Sequence, residues 1–544
     1  MSIAAGSGLA MAVTLPLVPV FCESEIGAAG WLEPLALVGL IPLLWILRDV
    51  SPRRAFGLGT WAGGFYFLLA LYWLDVAMTT FGHMPRLLSF PVLFLLVGFL
   101  ALFWGFAFWA AVRIKQRLGI GLHLSLPPIW VALEFLRNYV LTGFPWAGLG
   151  TSQVRTLWLA QLASLAGVYL VCFVVVYSNV ALEVLLAWYK GRAPLARYTL
   201  AAWAAMLAFS GIYSAVRLQG DLVGEKAKMI KVALIQGNLD EKARLRGAAA
   251  QRWVFGRMLS QSQMAMQQGA QLVVWPEGTL PDSFSPKINS FLQLARSANA
   301  LQPLEIPMTG ELIIGGITRG YKDSKGFLTN SAFLVDANLK VKTRYDKRHL
   351  VPFGEYVPMA SVLPYRWFVP DWVAFFVPGP DHQPLEAAVG KLGILICYEA
   401  IFPEIAAETV EAGAELLVNI TNDSWYGKSS APYQHLAISR LRAIETGRYL
   451  IRAANTGVSA IIDPVGRELS RIPLGLADSD ADRINIRQLT PPARLVGTVA
   501  LLNGTTVYGL IGDLFAWLCV LVSLGMLTLT FIKKKSVEQE PDST

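Results

Sequence analysis

The stretch Lys391-Leu392-Gly393-Ile394-Leu395-Ile396-Cys397-Tyr398-Glu399-Ala400-Ile401-Phe402-Pro403-Glu404 decides how the middle of the chain is read. Residues 392–396 form an apolar run of strand length. Pro403 and Glu404 then mark the first turn of a helix. A strand that turns sharply into a helix exposes the residue at the turn, as in the nucleophile elbows of hydrolases. That residue is Cys397. A helix N-terminus and a nearby cation would lower its thiol pKa below ~8.5. The residues alone leave two readings, an activated nucleophile and a buried structural cysteine, because free Cys is commonly buried.

Outward from this stretch, residues 229–490 form one block. Apolar runs of strand length recur at 230–235, 272–275, 312–317, 331–335, 392–397, 416–420 and 458–463. Helical pattern falls at 250–268, 403–412 and 434–446. Strands interleaved with helices imply an α/β domain with helices packed on sheets, and the block is long enough for one sizeable core.

Two further residues in the block carry candidate chemistry. Glu277 follows the strand 272–275 and Pro276. Desolvated there, its carboxyl pKa rises, which suits a general base for a thiol; a solvated loop carboxylate is the alternative. Lys347 lies in Tyr345-Asp346-Lys347-Arg348-His349-Leu350-Val351-Pro352-Phe353-Gly354-Glu355. A fixed ammonium there could stabilise an oxyanion, or belong to a basic surface patch. Glu355 and Glu399 are candidate ion-pair partners for the lysine and the cysteine region. Between 356 and 380 lie Trp367, Phe368, Trp372, Phe375 and Phe376 among several prolines. Such an aromatic, loop-like stretch reads as a lid or a surface dipping into the lipid interface, or as rings packed inside the domain.

The rest of the chain is a different material. Overall 54% of residues are hydrophobic and 15% charged, with a mean hydropathy of +0.47, against roughly 25% charged in a soluble domain. This excludes intrinsic disorder, and four cysteines in 544 residues exclude a disulfide scaffold. The excess apolarity sits at the two ends, with expected spans at 2–21, 31–47, 56–78, 90–112, 121–141, 158–188, 198–218 and 507–532. Most reach the ~20 residues needed to cross a bilayer. The first reads as a retained helix rather than a signal peptide, since it lacks a positive leading segment. Arg48, Arg53 and Arg54, then Arg113, Lys115 and Arg117, then Lys190, Arg192 and Arg197, and finally Lys533, Lys534 and Lys535 follow every second span. By the positive-inside rule these exits are cytoplasmic. Eight spans then put both termini in the cytoplasm and the 229–490 block on the opposite side. The formal charge of +8 belongs mostly to those loops, so no nucleic-acid partner is expected. Glu134 and Arg137 are ionisable residues at membrane depth, three apart on one helical face.

The five His form no cluster with ligand spacing, and neither a phosphate-binding nor a dinucleotide glycine motif is present. No metal or cofactor is expected.

Together, Trp275-Pro276-Glu277, Lys347 with Pro352-Phe353-Gly354-Glu355, and Cys397-Tyr398-Glu399 resemble the Glu–Lys–Cys pattern of the nitrilase superfamily of carbon–nitrogen hydrolases. That resemblance implies a four-layer αββα sandwich, with Cys397 as nucleophile, Glu277 as general base and Lys347 as oxyanion support, and Glu355, Tyr398 and Glu399 around them. Glu134-Phe135-Leu136-Arg137 with Gly143-Phe144-Pro145-Trp146-Ala147-Gly148-Leu149-Gly150 is similar to a membrane-region motif of the apolipoprotein N-acyltransferase family, as are residues 421–427 and 454–457 to its other segments. One departure is that the Trp usual in that family near 245 is Leu245 here.

The resemblance implies a membrane bundle of eight transmembrane helices (seven within 1–222 and the last at 505–533) carrying a nitrilase-like catalytic domain at 229–490. It implies acyl transfer from a membrane phospholipid, through a Cys397 thioester, to the α-amine of a diacylglyceryl-cysteine at an apolipoprotein N-terminus. A bacterial inner membrane, a periplasmic catalytic domain and a monomer are the corresponding expectations. A membrane-anchored hydrolase of small amides is the alternative.

Overall fold

The computed structural model describes residues 33–82, 84–192, 194, 196–220, 222–224, 227–239, 248–280, 308–322, 325–358, 376–380, 383–474 and 492–532. The strands are β1 (Lys228–Gln236), β2 (Leu272–Val274), β3 (Glu311–Lys322), β4 (Lys325–Val335), β5 (Val341–Asp346), β6 (Leu385–Glu386), β7 (Lys391–Ile396), β8 (Leu416–Thr421), β9 (Leu450–Ala454), β10 (Ser459–Ile462), β11 (Glu468–Ile472) and β12 (Ala493–Leu501). They form two six-stranded sheets, in the orders β12-β1-β2-β3-β4-β5 and β11-β10-β9-β8-β7-β6. Each sheet has a parallel trio, β1-β2-β3 and β7-β8-β9, continued by antiparallel strands.

The membrane-side helices relevant here are α1 (Pro52–Ala70), α2 (Arg86–Leu118), α3 (Leu122–Leu136), α4 (Ala163–Tyr189) and α5 (Arg197–Gln219). In the sandwich lie α6 (Ala248–Gln267), α7 (Pro403–Glu411) and α8 (Ala431–Thr446), and α9 (Leu514–Ile532) follows.

Side chains alternate across a strand, and the two faces of each sheet bury different partners. Ile230, Val232 and Leu234 of β1 join Leu392, Ile394 and Ile396 of β7 in a core between the sheets. Ala233 and Ile235 face the other way, onto Val254, Phe255 and Met258 of α6. Leu395 and Leu417 face away from the first sheet, onto Ile405 and Ala406 of α7 and Ala443 of α8. The order of layers is α6, first sheet, second sheet, α7 with α8, which is the αββα arrangement expected. The same cluster continues into Phe135, Trp146 and Leu149 of the membrane-side part. The helical layer of the second sheet is therefore also the seat on the apolar helices.

Five strands, β5, β6, β9, β11 and β12, escape a reading by apolar runs. β11 alternates half-buried and exposed residues, as an edge strand does. β12 lies beyond residue 490, yet pairs with β1 from Lys228↔Leu501 to Gln236↔Ala493. The sheet thus takes in residues past the expected boundary.

The described residues include four helices long and apolar enough to cross a membrane: α2, α4, α5 and α9. Pro52–Ala70 with Trp73–Thr80, bent by 50°, makes a fifth if the pair is one span. The expected count of eight is not reached there. Residues 33–47 give a short 3-10 turn, Glu33–Leu37, a short helix, Ile41–Ile46, and the start of a second 3-10 turn, Leu47–Asp49. α3 has 15 residues and two internal prolines. Residues 1–32 lie outside the described set. The long expected span at 158–188 breaks at Ala166 and Gly167, where φ is −148° and +69°. The break frees the Val168 N–H, which donates to Glu445 Oε1 of α8 at 2.9 Å. α1 and α2 approach closely because Gly59 leaves room: a Cβ there would meet Phe108 Cδ2 at 2.7 Å and the Trp104 carbonyl at 2.8 Å. Small residues at helix contacts are the usual device in membranes.

Candidate active site

Cys397 directly follows β7 and opens a 3-10 turn, Cys397–Ile401. Its φ is +51°, a left-handed conformation that costs an L residue roughly 1–3 kcal/mol unless its surroundings hold it. The side chain is 7% exposed.

Glu277 stands just past β2. Its Oε1 accepts from Asn330 Nδ2 at 2.7 Å and its Oε2 from the Asn422 N–H at 2.9 Å. Cys397 stands close enough for the Glu277 charge to act on its thiol. Lys347 is 1% exposed; its Nζ lies 3.9 Å from Glu277 Oε1 and 2.8 Å from Glu355 Oε2. The Lys347 N–H donates to the Asn330 carbonyl at 2.8 Å. Asn330 Nδ2 also donates to Glu355 Oε1 at 2.8 Å. One lysine and one asparagine on β4 thus hold two carboxylates apart. Glu277, Lys347 and Cys397, far apart in sequence, meet in one buried cluster, with Glu355 behind the lysine.

Glu399 does not face the thiol. It is fully buried, and its Oε1 accepts from the Tyr345 hydroxyl at 2.9 Å and the Arg348 N–H at 2.6 Å, while its Oε2 accepts from the Ile396 N–H at 2.7 Å. It ties the lysine loop to the cysteine turn. Tyr398 points to the membrane side, where its hydroxyl donates to the Gly143 carbonyl at 3.0 Å. The His349 ring lies 3.9 Å from that of Phe402.

The electrostatics suit a thiol that gives up its proton only during reaction. Burial and the Glu277 charge push the Cys397 thiol up, against the Lys347 ammonium. Burial also pushes Glu277 up, with Lys347 and the Asn330 amide opposing it. Burial works against the charge on Lys347, but Glu355 and Glu277 outweigh it and hold the ammonium above its usual range. A protonated thiol beside a carboxylate more basic than usual, with a permanent cation alongside, is equipped for nucleophilic acyl transfer with general-base assistance.

Of the aromatic candidates, Phe376 is buried, next to the Val377 N–H that donates to the Leu328 carbonyl at 2.9 Å. It is packed against β4 rather than exposed as a lid. Trp367, Trp372 and Phe375 lie outside the described residues, as do Phe368 and Leu245. Glu134 Oε1 accepts from the Leu149 N–H at 3.0 Å and Trp130 Nε1 at 3.1 Å, so it holds the 143–150 loop. Arg137 lies over the Phe67 ring at 5.3 Å. Among the described residues no three His, Cys, Asp or Glu converge as metal ligands.

Reading the sequence alone missed Asn330, Asn422, Asp423 and His435. Asp423 Oδ2 accepts from Arg452 at 2.7 Å, and His435 Nε2 lies 3.1 Å from the Cys397 carbonyl oxygen. Only the 421–427 segment carried a signal for any of them.

Residues 231–478 match the carbon–nitrogen hydrolase family, and residues 27–181 match the apolipoprotein N-acyltransferase N-terminal domain. The chain is 36% identical over 515 residues to an apolipoprotein N-acyltransferase of Geobacter metallireducens, covering 94% of this chain and 93% of that one. It is 34% identical to one of Chromobacterium violaceum, covering 81% of each chain, and 32% identical to one of Vibrio cholerae, covering 81% of this chain and 84% of that one. Among solved structures it is similar to a carbon–nitrogen hydrolase from Helicobacter pylori, with 19% identity and a TM-score of 0.36, over 53% of this chain and 94% of that one.

Proposed function

The chain belongs to the apolipoprotein N-acyltransferase family, an enzyme family whose reaction is lipoprotein N-acylation, and from that premise we propose a two-step acyl transfer through Cys397. The observation that carries the proposal is the Tyr398–Gly143 hydrogen bond. It sets the residue after the nucleophile against the membrane-side loop, which supports delivery of a lipid ester to the thiol from that side.

In the first step Cys397 Sγ attacks the ester carbonyl of a membrane phospholipid and its proton passes to Glu277. Lys347 faces the oxyanion that forms. Glu277 returns the proton to the leaving glycerol oxygen, and a lysophospholipid departs. In the second step the α-amine of the diacylglyceryl-cysteine attacks the thioester. Glu277 takes the amine proton and passes it to the leaving thiolate. The product is an amide, and the kinetics are ping-pong. Glu355 holds Lys347, and Glu399 holds the turn.

The wider proposal keeps eight spans, with 1–222 and 505–533 in the bilayer of a bacterial inner membrane, a periplasmic catalytic domain from 229 to about 490 joined by β12, cytoplasmic termini and a monomer. Basic clusters at alternate exits support the orientation. A reporter fused after Leu222 that proved cytoplasmic would overturn it.

The test of function offers the purified enzyme a phospholipid with one labelled acyl chain and a diacylglyceryl-cysteine peptide. Label in the peptide amide with equimolar lysophospholipid is expected. Ammonia release from small amides, with no label transferred, would favour the membrane-anchored hydrolase instead.

A further inference from the structure

Behind the nucleophile lies a buried polar group that the two-step scheme does not use. His435 is on α8, Asp423 follows β8 and Arg452 is on β9; His435 and Arg452 are fully buried and Asp423 is 1% exposed. His435 Nε2 lies 3.1 Å from the carbonyl oxygen of Cys397. His435 Nδ1 lies 3.1 Å from both Asp423 Oδ1 and Arg452 Nη2. Arg452 Nη2 donates to Asp423 Oδ2 at 2.7 Å, and the Thr421 hydroxyl donates to Asp423 Oδ1 at 3.0 Å.

A carbonyl oxygen can only accept. The Nε2 atom therefore carries a proton in either charge state of the ring. Burial, followed by the Arg452 charge, keeps the imidazole below its usual pKa. In the neutral ring Nδ1 is the lone-pair atom, and the Arg452 guanidinium beside it is the donor it faces. Asp423 is held down to about 2 because the Arg452 guanidinium, with the Thr421 hydroxyl, opposes the effect of its burial. It stays ionised and anchors Arg452.

The Cys397–Tyr398 peptide is trans, so its C=O and N–H point in opposite directions. Fixing the carbonyl on His435 fixes the direction of the Tyr398 N–H. That N–H belongs to the second residue of the turn and has no acceptor within it. The same bond restrains the left-handed backbone of Cys397.

We propose that His435, its Nε2 proton directed at the Cys397 carbonyl and its ring held between Arg452 and Asp423, is a positioning residue that holds the Cys397–Tyr398 peptide so that the Tyr398 N–H points at the oxyanion of the reacting ester. The inference rests on the acyl-thioester reading. His435 touches neither substrate nor the thiol; it acts through the peptide plane.

The test compares His435→Gln with His435→Asn. Both are polar and close in volume. The Gln amide nitrogen reaches the place of Nε2, whereas the Asn amide reaches only the place of Nδ1. Three readouts are taken on the full-length enzyme: the rate of acyl-enzyme formation from phospholipid, the rate of Cys397 alkylation by iodoacetamide, and the thermal midpoint. Alkylation passes through no oxyanion. The Asn variant is expected to lose about 100-fold in acyl-enzyme formation, the scale of one lost oxyanion donor. Its KM for phospholipid and its alkylation rate should stay within about twofold, and the Gln variant should recover most of the acylation rate. Equal acylation rates in the two variants would overturn the inference. So would a fall in alkylation parallel to that in acylation, which marks a merely structural role. If one variant fails to fold, the alkylation-to-acylation ratio of the other decides. If the wild type itself forms no acyl-enzyme, the underlying reading fails, an outcome distinct from equal variants on an active wild type.

Discussion

Asn330 sits where two carboxylates share one ammonium. Its side-chain N–H groups reach both Glu277 and Glu355, and its carbonyl fixes the Lys347 backbone. A hydrogen bond to a charged group is worth about 1.5–3 kcal/mol. Asn330→Ala is therefore expected to slow acyl-enzyme formation by about 10–100-fold. The pH profile should move as well. Burial raises the Glu277 pKa and the Asn330 bond opposes that rise, so the rate falls as pH drops through the Glu277 pKa. Losing the amide shifts this acid limb to higher pH, and a limb that stayed in place would contradict the role given to Asn330. At this scale the sequence exposed the three chemically distinctive residues. It hid Asn330 and His435, because an amide within a strand and a histidine within a polar helix acquire meaning only from what faces them.

Among the elements, α8 shows why periodicity has limits. Every residue of Ala431–Thr446 is buried, although its polar residues would ordinarily be read as a solvated face. Its polar groups are spent on specific partners: Gln434 on Trp73 and Trp146, Arg442 on Glu445 and the Ile401 carbonyl, Arg440 on Glu468. The helical pattern at 434–446 was legible, but burial of its polar side was not, because that depends on those distant partners. Helix α7 makes a different prediction. Burial, with Asp513 adding to it, raises Glu404 to about 7, and its Oε2 has no hydrogen-bond partner among the described residues. A carboxyl raised in the folded state favours the protonated form. The stability it contributes is full below the unfolded pKa of 4.5 and is lost as pH rises through about 7. Glu404→Gln should therefore stabilise the protein at pH 8 by about 3 kcal/mol and change little at pH 4. An equal effect at both pH values in thermal unfolding would refute this account of Glu404.

Across the whole molecule, the sandwich is fastened to the apolar helices by polar contacts as well as by chain connections. Tyr398 bonds Gly143, Gln434 takes both indoles, and Glu445 satisfies the broken α4. The sheet interior was legible as strand-length apolar runs, and the αββα layering followed from resemblance rather than from those runs. The span count was less legible. Hydropathy does not see the break at Gly167, where the freed Val168 N–H finds its acceptor in Glu445 of the other part of the chain. β12 was missed because its sequence runs straight toward the last apolar helix. Such a joint makes sense if the buried thiol works on an ester delivered from the membrane. The most direct test is the intact mass of the full-length protein after incubation with phospholipid, wild type beside Cys397→Ala. The account predicts a fatty-acyl increment on the wild type that is absent from the variant and discharges onto a diacylglyceryl-cysteine peptide. An increment that persists in Cys397→Ala, or transfer to the peptide by that variant, would contradict it.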